Sequence, residues 1–78
     1  MEIKELKDTV EPMLSNNYKE RLKAEYYQVK IRFTDLKDAL ENAVFTVEQK
    51  DLLQSQAEYM FNYLNVLERR AKLEQIEL

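Results

Sequence analysis

"YKERLKAEYYQVKIRFTDLKDALENAVFTVEQK" (residues 18–50) carries two signals that decide the fold. Leu22, Tyr26, Val29, Phe33, Leu36, Leu40 and Ala43 recur at alternating steps of four and three, the seam of a coiled-coil-like helix. "VFT" then interrupts the pattern, and Thr46 with Gln49 has the spacing of a capping box, which opens a new helix. Leu53, Ala57, Met60, Leu64, Leu67 and Ala71 resume the same alternation. Two long helices joined by so short a link must lie antiparallel. The expected architecture is an all-α, antiparallel two-helix hairpin over residues 17–78, with helices at about 18–43 and 47–75 and a length of about 40 Å.

Working outward, Ile3, Leu6, Val10 and Met13 predict a short N-terminal amphipathic helix, with residues 1–16 forming that helix and a connector. Pro12 blocks its smooth continuation and pushes Glu11 away from helical geometry. Asn17 followed by Glu20 again has capping-box spacing, marking the start of the first long helix.

Composition narrows the function classes. The 78 residues make one small domain, and such a chain often needs a partner to complete its core. With no cysteine and no histidine, disulfides are excluded and a structural zinc site nearly so. There is no glycine either, so phosphate-cradling loops of the Walker and dinucleotide types are impossible and tight hairpins are disfavoured. No cofactor is expected. Acid–base and nucleophilic catalysis lack a histidine, a thiol or a serine with a base, so the chain is expected not to be an enzyme. The charged start "MEIKELKDTVEP" is no signal peptide, and no apolar run approaches the roughly 20 residues of a membrane span. A cytoplasmic, soluble protein is the expectation.

Each long helix has apolar residues that its seam cannot use. Ala24, Tyr27 and Ile31 lie away from the seam of the first, while Leu52, Tyr59, Tyr63, Val66 and Leu73 form a second stripe on the other. The N-terminal helix is too short to cover both faces. Homo-oligomerisation is therefore expected, through Ala24, Tyr27, Ile31, Tyr59, Val66 and Leu73.

Residues 18–32 hold five cations and two acids, whereas residues 35–51 hold two cations and five acids. In the antiparallel register Lys19, Arg21 and Lys23 meet Arg69, Arg70 and Lys72, with Glu20 and Glu68 the only acids close by. Two readings follow. The cations are solubilising flanks whose stems cover the core. Alternatively, they hold an anion, with Arg21, Lys23, Arg69 and Arg70 supplying charge and Tyr18, Tyr26 or Tyr63 a stacking face. The short patch on an acidic chain, of net charge −3, disfavours long nucleic acid and suits a small phosphorylated ligand.

Residues 18–78 resemble small helical proteins encoded by tailed phages, including the crAss-like phages. The shared pattern has a Tyr-x-Glu-Arg opening (Tyr18, Glu20, Arg21) and a Glu-Tyr-x-x-Val-Lys stretch (Glu25, Tyr26, Val29, Lys30). It continues through Leu52-Leu53, Met60, Tyr63-Leu64, Leu67-Glu68 and Arg70-Ala71 to a closing Ile76-Glu77-Leu78. The chain departs in having Phe45-Thr46 where a Cys-Pro is often found, and residues 1–17 lie outside the pattern. The layout is also similar to the helical hairpin of phage anti-CBASS and anti-Thoeris sponges. That resemblance implies a non-enzymatic anti-defence protein acting in the infected host's cytoplasm. It would sequester cyclic-oligonucleotide or ADP-ribose-type signals in pockets between subunits. The alternative is a small helical interaction module that binds a host or phage protein through its apolar faces.

Overall fold

A computed structural model of the chain describes residues 2–78, and among them every regular element is helical. A 3₁₀ turn over Leu6–Thr9 runs directly into a one-turn helix, α1 (Val10–Met13). Two long helices follow, α2 (Tyr18–Asn42) and α3 (Val47–Leu73). α2 packs on α3 along one side and on the N-terminal segment along another, giving a slab of 42 × 25 × 16 Å.

Contacts between α2 and α3 run in opposite sequence directions. Tyr18 meets Glu74, Tyr26 meets Glu68, and Phe33 meets Phe61. The buried core lies toward the end where α2 begins and α3 finishes, and comprises Leu22, Tyr26, Leu64, Leu67 and Ala71. Leu67 is 1% exposed. Val29, Phe33, Leu36 and Leu40 on α2, with Leu53 and Met60 on α3, are only half-buried. The seam is thus tight at its open end and looser toward the loop.

The helix ends have identifiable chemistry. Thr46 Oγ1 accepts from the Gln49 N–H (3.1 Å) and Gln49 Oε1 accepts from the Thr46 N–H (3.0 Å), the reciprocal box expected from the sequence. At α2 the box with Glu20 does not form. Asn17 Oδ1 accepts from the Lys19 N–H (2.9 Å), while the Asn17 N–H is already taken by Ser15 Oγ (3.0 Å) and is unavailable to Glu20. α3 closes in a Schellman motif: the Ile76 N–H reaches the Ala71 carbonyl (2.8 Å) and the Gln75 N–H the Lys72 carbonyl (3.4 Å). Gln75 adopts φ 58°, a left-handed conformation that costs a non-glycine residue about 1 kcal/mol. Closing the motif turns the tail back, so that Ile76 and Leu78 pack on the core cluster.

The N-terminal segment departs from its predicted stripe. Leu6, Val10 and Met13 are exposed, whereas Thr9 and Pro12 are buried. Thr9 can be buried because its hydroxyl donates to the Leu6 carbonyl at 2.6 Å, leaving its methyl for packing. Pro12 and Glu11 are both helical in α1. Pro12 falls in the first turn, where a missing N–H costs no internal bond. The Asp8 carboxylate accepts from the Lys4 (3.1 Å) and Glu5 (3.0 Å) N–H groups, and the Glu5 bond is the leading cause of its lowered pKa. The segment lies on α2 of its own chain, and Ala24 on that side of α2 has no remaining exposure.

Candidate functional site

The open end of the α2–α3 pair brings tyrosines and carboxylates together as donors and acceptors. The Tyr26 hydroxyl, at 6% residue exposure, donates to Glu68 Oε1 across the helices at 2.7 Å. Burial first, then this hydrogen bond and the charge of Glu68, push the Tyr26 pKa up to about 12. Its ring meets Tyr27 edge-on at 5.2 Å, and the Lys30 ammonium sits 5.6 Å from the Tyr26 centroid and 5.9 Å from that of Tyr27. The Tyr18 hydroxyl donates to the Glu74 carboxylate at 2.9 Å and accepts from Arg70 Nη2 at 2.6 Å. The Arg70 guanidinium also lies 6.0 Å from the Tyr18 ring centroid and 4.0 Å from Glu74. Its pKa is raised, chiefly by the bond to Tyr18. The Tyr63 hydroxyl donates to the Glu25 carboxylate.

The residues expected to bind a ligand therefore separate into groups. Tyr18 and Arg70 are brought into one half-exposed cluster with Glu74. Arg21 lies apart from it: its Nη1 donates to the Ser15 carbonyl at 2.8 Å and fastens the connector before α2. Lys23 is partly exposed, Arg69 is exposed, and neither has an ion pair among the described residues. Arg69 lines a shallow concavity of about 520 Å³ with Lys72 and Leu73. Tyr63 keeps an exposed ring. Tyr26 does not: its ring is in the core, where it offers no free stacking face in the single chain. The end expected to hold only Glu20 and Glu68 as acids also carries Glu25 and Glu74, each accepting from a tyrosine.

Those acceptors were missed by reasoning that followed cations alone. The register offered a signal, because the antiparallel pairing that sets Tyr18–Lys23 beside Leu67–Lys72 also brings Glu25 near Tyr63 and Glu74 near Tyr18. Nothing comparable marked the cleft of about 740 Å³ near the loop, lined from both long helices by Phe33, Lys37, Leu40, Lys50, Gln54 and Phe61. The Phe33 and Phe61 rings there are 6.1 Å apart and tilted by 38°.

Of the residues expected to meet another copy, Ala24 is sealed within its own chain and Tyr27 and Ile31 are half-buried. Tyr59, Val66 and Leu73 remain outside, at up to 85% exposure for Leu73. A groove of about 350 Å³ runs along this face of α3, between Leu52, Gln56, Tyr59, Met60 and Tyr63.

Among the described residues no cluster of three or more carboxylates, histidines or cysteines could hold a metal ion, and no helix is long and apolar enough to cross a membrane. No curated protein and no solved structure matches the chain. A family model described as Sequestin matches residues 16–73, spanning α2, the loop and α3, and the chain belongs to the Sequestin family.

Proposed function

We propose that this chain is a non-enzymatic sponge that sequesters a nucleotide-type immune signal, a cyclic oligonucleotide or an ADP-ribose-type molecule, as a phage anti-defence protein. The observation that carries this reading is the Sequestin match, whose name denotes sequestration and whose span covers both long helices. The α2–α3 pair then acts as an αα-hairpin unit that self-associates, with ligand held at the basic end of each copy, in a pocket between subunits. The side chains available for an anion are Lys23 and Arg69, together with Arg70, which Tyr18 and Glu74 hold in place. Tyr18 supplies a half-exposed ring, and Tyr63 lies on the face along which copies meet. Tyr26 belongs to the supporting core, and Arg21 sets the connector from which α2 starts.

The chemistry favours capture over conversion. Arginine and lysine supply permanent charge to phosphate oxygens, with about 1.5–3 kcal/mol for each charge-assisted contact against 0–1 for an exposed ion pair. The direct test is calorimetry against a panel of cyclic di- and trinucleotides and ADP-ribose derivatives. The wild type is expected to bind at least one with Kd below about 100 µM, or −5.5 kcal/mol. Arg70→Glu should abolish binding with helicity retained, and affinity should fall as salt rises. Absence of binding across the panel contradicts the reading for those ligands and favours the interaction module, for which the exposed α3 stripe is the supporting observation.

A further inference from the structure

The exposed face of α3 has a palindromic order. Leu52, Gln56, Tyr59, Tyr63, Val66, Arg70 and Leu73 follow steps of 4, 3, 4, 3, 4, 3, a second heptad seam beside the one that packs on α2. Leu52, Tyr59, Val66 and Leu73 are more than half in solvent, and Tyr63 is 42% exposed. α2 meets this face at Tyr63, whose hydroxyl donates to Glu25, and the N-terminal segment packs on α2 and not on α3.

We infer that α3 pairs with α3 of a second copy of this chain, antiparallel, about a two-fold axis at Tyr63. Reversing the seam upon itself places Leu52 opposite Leu73 and Tyr59 opposite Val66, while Tyr63 meets its own counterpart. The two polar members, Gln56 and Arg70, fall opposite each other, so an amide faces the stem of an arginine whose guanidinium Tyr18 and Glu74 hold. A parallel pairing fails at that layer, since it sets Arg70 against Arg70 within an apolar seam. Charge along the helix selects the same direction. Val47–Met60 carries Glu48, Asp51 and Glu58 against Lys50, whereas Phe61–Leu73 carries Arg69, Arg70 and Lys72 against Glu68. Antiparallel copies set each acidic half beside a basic half, and opposed helix dipoles add to the preference. A two-fold interface of this kind is self-complementary and closes at two copies, so it does not propagate into a fibre.

The inference rests on the self-association included in the proposed function, and its test contains no ligand, so failure of signal binding leaves it standing and the reverse also holds. The chain has no cysteine, which makes single cysteines at the exposed ends of the seam clean reporters. Leu52→Cys and Leu73→Cys chains are mixed, unfolded, refolded together and oxidised. A covalent dimer is expected from the mixture and from neither variant alone, because a disulfide forms only between Cβ atoms within about 4.5 Å. Tyr59→Glu, at a position 74% exposed, should convert the untagged protein from twice the 9.4 kDa chain mass to a single chain in sedimentation, with its helical signal intact. Covalent dimers from Leu52→Cys alone show parallel helices and overturn the inference. So does a wild type that sediments as a single chain at micromolar concentration.

Discussion

At the scale of single residues, the open end is organised by tyrosine–glutamate pairs more than by its cations. Tyr18, Tyr26 and Tyr63 each donate to a carboxylate, and in each pair the two partners lie on opposite sides of the α2–α3 contact. Only Tyr26 is buried, which yields a test at alkaline pH. Burial and Glu68 favour its neutral form in the fold, whereas the unfolded chain titrates near 10. Between pH 10 and about 12 the unfolded state therefore gives up its proton first. The stabilisation from this group is full below pH 10 and is lost as pH rises toward 12, on the order of 1–2 kcal/mol. Urea titrations across that range should show the loss in the wild type and a flatter alkaline limb in Tyr26→Phe. Equal slopes would place the hydroxyl in water. The clustering of aromatic and basic residues was legible in the sequence, and the register brought carboxylates near them, but the bonds themselves were not legible. Whether a tyrosine stacks on a ligand or anchors a carboxylate depends on side-chain reach across the helix pair, which periodicity does not encode.

At the scale of elements, a repeat of fours and threes is enough to place two long helices, because few other arrangements bury such a stripe. Thr46 and Gln49 mark the new start through donors and acceptors visible as letters. The closing turn of α3 was less legible. Its left-handed residue is a glutamine, and the usual glycine signal is absent. The N-terminal segment was misread in its facing, since an apolar stripe says nothing about a threonine that satisfies its own hydroxyl and buries its methyl. Burial along the α2–α3 seam is also uneven, lower around the loop-end cleft than at the open end. Leu67→Ala, in the sealed end, should cost about 2–5 kcal/mol. Leu36 is only half-buried, so Leu36→Ala should cost about half as much or less. Denaturant melts of both variants decide the point, and equal losses would mean that the seam is tight along its whole length.

At the scale of the whole molecule, two surfaces remain uncommitted: basic side chains at the open end and an apolar stripe along α3. A chain of this size exposes such a stripe at a cost in solubility, which a second copy removes. The Sequestin match covers the elements that carry both surfaces. The central claim is that the protein holds a nucleotide-type signal and releases it unchanged. It is tested most directly by purifying the protein from cells with an active signalling system, denaturing it by heat and examining the released small molecules by mass spectrometry. The account predicts an intact nucleotide that reactivates the cognate effector, recovered from the wild type and missing from Arg70→Glu. Recovery of a cleaved product, or of no nucleotide from the wild type, would contradict it.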